Sequence, residues 1–126
     1  RVDTGGAPDL VFVDAGVVTI NMTASPDTIL ANTWYHIAVR ENGSDFKIYV
    51  NGVERASLTD DSRITNFAAP MNIGRRTVAG SEFEWSGSMD EIRFTNAVKY
   101  LTPFSRRASA YTSFETGAMQ FLFNMF

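Results

Sequence analysis

The alternation of side chains in the first half of the chain limits the possible folds more than any other feature. Bulky apolar residues recur at every second position over residues 34–41 (WYHIAVRE) and again over residues 46–50 (FKIYV). A period of two places successive side chains on opposite faces of a β-strand. Asn51-Gly52 follows, and both residues accept the positive φ of a two-residue hairpin turn. The sequence therefore predicts consecutive antiparallel strands over residues 34–41, 46–50 and 53–58.

The rest of the chain also has the pattern of short strands separated by turns. Further strands are predicted over residues 10–13, 17–22, 70–74, 83–85 and 88–95. One helical turn is predicted over residues 97–101, and loops over residues 59–66, 75–80 and 102–114, the last of them a covering loop. Many short strands with turn signals between them indicate an all-β fold, an antiparallel β-sandwich or jelly roll. We expect residues 1–126 to form a single domain.

The composition excludes several classes of protein. The chain has 126 residues, of which 44% are hydrophobic, and this is enough for the core of one domain. A net charge of −3 with scattered Lys and Arg residues argues against a nucleic-acid partner. No apolar run approaches the roughly 18 residues that cross a bilayer, so no membrane insertion is expected. The chain has no cysteine and therefore neither disulfides nor thiolate metal sites.

The residues offer little for catalysis. His36 is the only histidine and lies within a predicted strand, which favours a structural histidine that bonds a neighbouring loop. A glycosidase needs two carboxylates across one cleft. Glu82 and Glu84 are two residues apart and are better explained as a solvated strand face. We therefore predict no catalytic residues and no enzymatic activity.

Acidic residues in two predicted turns are candidates for a calcium site. Asp60 and Asp61 are adjacent in a polar stretch, and Asp90 follows a glycine near the end of a predicted strand. Calcium binds six to eight hard oxygen ligands, which loop carboxylates and carbonyls supply. The alternative is turn chemistry, in which Asp side chains bond their own backbone. We expect either no cofactor or calcium.

Aromatic side chains give the candidate ligand-binding residues. Tyr49, Trp85 and Tyr100 are the candidates for a sugar-binding platform, although aromatics in a small β domain more often belong to the core. Tyr49 is of particular interest because it points away from Ile48 and Val50 in the alternating strand. That orientation predicts a position outside the domain or against a second sheet.

The end of the chain, residues 119–126 (MQFLFNMF), is almost wholly apolar and lacks alternation. An exposed strand of this kind would aggregate, so it must be covered. It is predicted either to pair within the domain with an early strand, such as residues 17–22, or to be buried by a neighbouring subunit or by sequence beyond it. The expected interface residues are Met119, Phe121, Phe123 and Phe126. We expect that the chain is not an isolated monomer in its working state.

Four segments occur in an order that resembles a known family: NTWYHIAV, FKIYVNG, MNIG and EWSGSMDEIRFTNAVKY. The series resembles laminin-G-like or pentraxin-like modules of the concanavalin-A-like lectin/glucanase fold. The last segment, followed by a Pro-Phe pair, looks most like copies in bacteriophage tail, fibre or capsid-decoration proteins. Such modules usually carry more strands before the first of these segments. Three alternatives follow: a pared-down sandwich, a sandwich whose further strands lie upstream in a longer polypeptide, or one that another chain of an assembly completes.

This resemblance implies a non-enzymatic structural or adhesive module of a bacteriophage particle. Its expected work is packing against other virion proteins or copies of itself, or contact with a host-surface glycan, and its expected location is the virion. The alternative is a carbohydrate-binding, lectin-like module of an extracellular bacterial protein.

Overall fold

The computed structural model describes residues 5–14, 16–26, 28–62, 72–78, 80–95 and 97–105. Within these residues all regular structure is β, and every strand pairing is antiparallel. The strands are β1 (Asp9–Asp14), β2 (Val17–Thr23), β3 (Ile37–Asn42), β4 (Asp45–Val50), β5 (Val53–Thr59), β6 (Arg75–Val78) and β7 (Ser81–Glu84). The predicted all-β antiparallel fold is confirmed. Across the described residues the structure contains no helix of the length and apolarity that crossing a membrane requires.

The three central strands form one sheet in the order β3-β4-β5, as the alternation predicts. The Asn51-Gly52 turn joins β4 to β5, with φ values of 50° and 81° at its two residues. Strand β3 begins three residues later than predicted. The reason is that the backbone N–H of His36 donates to Asn51 Oδ1 at 3.0 Å, so this residue bonds the turn instead of continuing a ladder.

Strands β1 and β2 form a two-stranded sheet that packs on the central sheet. Ile20 and Met22 of β2 form one buried cluster with Phe46 and Ile48 of β4. Part-buried apolar side chains complete this cluster: Leu10, Phe12, Val39, Ala56 and Leu58. Because alternate residues of β4 point inward, the two sheets enclose an apolar layer between them, which is the arrangement of a β-sandwich.

The predicted structure of residues 70–80 is wrong. Within its described part, residues 72–74 form no strand, whereas Arg75–Val78 is strand β6 rather than a loop. Strand β6 pairs with β7 in a two-stranded ribbon that turns at Gly80, where φ is 82°. An ion pair from Arg75 to Glu82 crosses this ribbon. The strand is not recognisable from its sequence, because Arg75, Arg76 and Thr77 give it no run or alternation of apolar residues.

The strand predicted over residues 88–95 and the helical turn predicted over residues 97–101 are also wrong, because neither is present. Glu91 has a φ of 53° and Tyr100 a φ of 58°, values that neither a strand nor a right-handed helix accommodates. The carboxylate of Asp90 accepts a hydrogen bond from the Glu91 N–H at 2.8 Å, which holds a local turn there. The predicted interface at residues 119–126 lies outside the described residues.

Residues 97–105 cover one end of the central sheet, and we call them the covering segment. The Phe104 N–H donates to the Gly52 carbonyl at 3.0 Å. The two backbones approach so closely that a Cβ on Gly52 would overlap the Phe104 carbonyl oxygen. This agrees with the prediction of a covering loop from residue 102 onward, as far as residue 105.

The contact between Gly52 and Phe104 predicts a difference between two glycine variants. Gly43 and Gly52 both have positive φ, but a Cβ at Gly43 would meet no atom within 4 Å. Gly43→Ala is therefore expected to cost about 1 kcal/mol of unfolding free energy through backbone strain alone. Gly52→Ala is expected to cost at least about 1–2 kcal/mol more, because the covering segment must also move. Urea denaturation of both variants measures the difference, and equal costs would contradict the close approach.

Candidate functional site

The face of the central sheet that points away from β1 and β2 carries polar and aromatic side chains. The register pairs Ala38 with Tyr49 and Arg40 with Lys47, so these four share a face. Phe46 and Ile48 alternate with them and point into the sandwich. We call the side opposite the sandwich interior the outer face.

Two ion pairs lie on the outer face. Arg40, whose side chain is almost fully buried, bonds the Asp45 carboxylate. Lys47 Nζ donates to Glu54 Oε2 at 2.8 Å, and both of these side chains stay partly exposed. The hydrogen bond to Glu54 raises the pKa of Lys47 above its usual value, so the ammonium is charged at neutral pH. Partly exposed donors and acceptors of this kind suit a neutral polar ligand that both donates and accepts hydrogen bonds.

An aromatic cluster formed by His36, Tyr49, Tyr100 and Phe104 lies at the turn end of the outer face. The rings of Tyr100 and Phe104 stack with centroids 3.5 Å apart. The fully buried Tyr49 lies 5.5 Å from Phe104 and donates from its hydroxyl to the Tyr100 carbonyl at 3.0 Å. Burial is the main cause that raises the pKa of Tyr49, and the hydroxyl therefore keeps its proton well above neutral pH. The cluster joins the covering segment to the sheet.

His36 belongs to this cluster through its ring and to the hairpin turn through its backbone. The ring meets Phe104 and Tyr100 edge-on, with centroid distances of 5.4 and 6.0 Å. Its carbonyl accepts a hydrogen bond from the Asn51 N–H at 2.7 Å. These are the contacts of a residue that holds neighbouring parts of the fold together.

The three predicted ligand-binding aromatics do not form one platform. Tyr49 and Tyr100 lie together, with centroids 6.5 Å apart, but Tyr49 is fully buried. The ring of Tyr49 lies beneath the covering segment, whereas Tyr100 and Trp85 are both partly exposed. A sugar-binding role for these residues stays a prediction. Trp85 follows strand β7, where its backbone N–H donates to the Gly74 carbonyl at 2.7 Å. Its indole N–H is buried without a hydrogen-bond partner among the described residues.

The candidate calcium ligands lie in turns that their own side chains stabilise. Asp60 Oδ1 accepts a hydrogen bond from the Ser62 N–H at 2.7 Å, and hydrogen bonds from Ser62 lower the pKa of this carboxyl. Asp61 and Asp90 are exposed. In the part of the chain that the structure describes, no group of three or more acidic or histidine side chains is close enough to hold a metal ion. Calcium binding stays a prediction.

The four charged residues of the outer face were not singled out from the sequence. The hairpin register could have indicated that they share a face. Once the turn is known, the register places Arg40 opposite Lys47 and Asn42 opposite Asp45. Glu82 and Glu84, considered as a glycosidase pair, lie exposed on strand β7, where Glu82 bonds Arg75.

The buried Tyr49 hydroxyl predicts a loss of stability at high pH. The folded-state pKa of Tyr49 is raised, so its contribution is complete below the ordinary tyrosine pKa of about 10 and is lost as the pH rises above it. Tyr49→Phe should cost about 0.5–1.5 kcal/mol at neutral pH through the lost hydrogen bond. The variant should also lose less stability than the wild type between about pH 9 and 11. Urea denaturation at both pH values tests this, with Tyr35→Phe as the matched control, and equal pH dependence in Tyr49→Phe and wild type would contradict it.

His36→Ala is expected to destabilise the fold by about 1–3 kcal/mol, because the ring contacts with Tyr100 and Phe104 are lost. We expect no catalytic consequence. Thermal unfolding and a polysaccharide hydrolysis assay on the same sample check both statements. A hydrolytic activity of the wild type that disappears in a folded His36→Ala protein would contradict the structural role.

Comparison with known families agrees with this architecture. A family model described as the concanavalin A-like lectin/glucanases superfamily (Laminin_G_3) matches residues 1–101. No curated protein and no solved structure matched the chain. The matched range includes all seven strands and most of the covering segment. The chain belongs to the concanavalin A-like lectin/glucanases superfamily.

Proposed function

We propose that this chain is a non-enzymatic adhesive module that contacts a host-surface glycan through the outer face of its central sheet, as part of a bacteriophage particle. The observation that carries the proposal is the Lys47–Glu54 ion pair beside the aromatic cluster. Tyr49 interacts electrostatically with both residues of this pair and with Arg40 and Asp45, so the charged and aromatic groups lie near one another.

A glycan fits this combination of groups. Sugar hydroxyls donate and accept hydrogen bonds, and the outer face offers an ammonium group and a carboxylate that are partly exposed. Charged partners make such hydrogen bonds shorter and stronger than neutral ones. Tyr100 adds a partly exposed aromatic ring at the edge of the cluster. The superfamily includes lectins by its description, which agrees with a carbohydrate ligand.

Binding is a better explanation of this face than hydrolysis. A glycosidase pair acts on one bond from both sides, with one carboxyl group as the acid. On the outer face, Asp45 and Glu54 each bond a cation of the same face instead. These carboxylates hold Arg40 and Lys47 in place, which suits a preformed binding surface.

The bacteriophage setting depends on the resemblance of the segment EWSGSMDEIRFTNAVKY to copies in virion proteins. In that setting the partners are other virion proteins or copies of this chain, and the location is the virion. The alternative is a lectin-like module of an extracellular bacterial protein. Quantitative mass spectrometry of purified particles distinguishes the two: a fixed copy number per particle supports the virion, and recovery only from the bacterial surface or medium supports the alternative.

Glycan binding is tested with two matched ion-pair variants. Lys47→Ala removes the cation of the outer face, and Arg75→Ala removes the cation of a comparable exposed pair on the β6–β7 ribbon. Exposed ion pairs contribute only about 0–1 kcal/mol to stability, so both variants should fold. On a glycan array, Lys47→Ala should lose binding about tenfold or more, while Arg75→Ala should match the wild type.

Two results of this experiment would count against the proposal. If the wild-type chain binds no glycan, the proposed glycan contact is wrong. If both variants bind equally well, the glycan does not bind at the outer face. The array is run with calcium and with a chelator. We propose that binding needs no cofactor, so both conditions should give the same result, and loss of binding in the chelator would assign a role to calcium.

A further inference from the structure

The dipeptide Asn-Gly occurs twice in the chain, at Asn42-Gly43 and at Asn51-Gly52, and both copies lie at hairpin turns of the central sheet. An asparagine that precedes glycine loses its side-chain amide readily, because glycine has no side chain to shield its backbone nitrogen from the asparagine Cγ. The two turns therefore offer the same reaction in different surroundings.

The Asn51-Gly52 turn is held from two sides. Asn51 Oδ1 accepts a hydrogen bond from the His36 N–H at 3.0 Å, and the Asn51 N–H donates to the His36 carbonyl at 2.7 Å. Gly52 is buried, and its carbonyl accepts the Phe104 N–H at 3.0 Å. To bring Asn51 Cγ to the Gly52 nitrogen, the side chain must leave His36 and the backbone of the turn must shift against the covering segment.

The Asn42-Gly43 turn has neither restraint. Asn42 and Gly43 are both exposed, and a Cβ at Gly43 would meet no atom within 4 Å. The Asn42 side chain makes no hydrogen bond to any residue that the structure describes. Asn42 pairs with Asp45 as the last pair of the β3–β4 ladder, just as Val50 pairs with Val53 at the other turn. Both hairpins must therefore open to react, and this shared cost cancels when the two positions are compared.

We propose that Asn42 is a deamidation site of this chain and that the fold protects Asn51 from the same reaction. The Gly43 nitrogen forms a bond to Asn42 Cγ and gives up its proton, and the Cγ–Nδ2 bond breaks so that ammonia leaves. Water then opens the resulting succinimide ring at either carbonyl, which yields aspartate or isoaspartate. The reaction needs only water, and the proposal does not depend on glycan binding.

The product adds a carboxylate to the outer face. Asn42 lies two residues after Arg40 in β3 and opposite Asp45, so it shares the face that carries both ion pairs. The charges of those two pairs balance, and a carboxylate at position 42 leaves the face with a net negative charge. It also places a like charge directly opposite Asp45, which is unfavourable. Deamidation at this position therefore changes the charge of the outer face as the protein ages.

Tryptic digestion separates the two positions, because cleavage after Arg40, Lys47 and Arg55 places them in the peptides 41–47 and 48–55. The full chain is aged at slightly alkaline pH, once in native buffer and once in denaturing urea. Samples taken over time are digested and analysed by liquid chromatography and mass spectrometry. The mass increase of each peptide gives the rate at its asparagine, and separate peaks for aspartate and isoaspartate report the succinimide. A sample at time zero corrects for deamidation during digestion.

In native buffer Asn42 should react at least about tenfold faster than Asn51, because each hydrogen bond that must be given up slows the step by about two- to tenfold. In urea the two rates should be nearly equal. Equal rates in native buffer, faster loss at Asn51, or no reaction at Asn42 would overturn the proposal. A difference that persists in urea would assign it to the neighbouring sequence instead of the fold. Peptide 41–47 without isoaspartate would exclude the succinimide route.

A pair of variants in the covering segment tests the protection of Asn51. Phe104→Ala removes the ring that stacks on Tyr100 and should speed the reaction at Asn51 while the rate at Asn42 stays the same. Leu101→Ala is the matched control, because Leu101 lies in the same segment and is 65% exposed, and it should change neither rate. No increase at Asn51 in Phe104→Ala, or an equal increase at both asparagines, would contradict protection by the covering segment.

Discussion

The Asn51-Gly52 turn is the constraint on which the rest of this structure depends. Its two positive φ values join β4 to β5 in a tight hairpin. The side chain and N–H of Asn51 bond the backbone of His36, and the Gly52 carbonyl accepts the Phe104 N–H. One turn thus fixes the start of β3, the register of β5 and the anchor of the covering segment. A shift of the register by one residue would exchange the faces of a strand, so the turn also determines which side chains are buried.

The central sheet has two faces with different tasks. On the inner face Phe46 and Ile48 are fully buried against β2, and side chains of this kind each stabilise the fold by about 1.5–3 kcal/mol. The outer face divides along β4. Near the turn, Tyr49 is enclosed by the covering segment, whereas Lys47 and its partner Glu54 stay partly open. Strand β4 therefore supplies two core residues, the tyrosine that bonds the covering segment and a partly exposed lysine.

The sequence predicted the parts that local patterns determine. The period of two and the Asn-Gly pair identified β3, β4 and β5, and the apolar runs identified β1 and β2. Prediction failed where long-range contacts override local preference. No sequence pattern predicts the positive φ of Glu91 or Tyr100, because neither residue type favours that conformation. The aromatic cluster was equally hidden, because it joins Tyr49 to a residue 51 positions away. The ion pairs were accessible in principle, since they follow from the register once the turn is placed.

The irregular backbone of the covering segment has a physical explanation in the outer face itself. A left-handed conformation at Tyr100 costs on the order of 1–3 kcal/mol, and a regular strand would avoid this cost. A strand laid across the sheet, however, would cover Lys47 and Glu54 as well as Tyr49, and burial of charged groups is expensive even when they are paired. The irregular segment instead makes its contacts at the turn end, where Tyr100 stacks on Phe104 and accepts the Tyr49 hydroxyl. These contacts offset the strain at the point where the sheet needs cover. They leave Lys47 and Glu54 partly exposed to water.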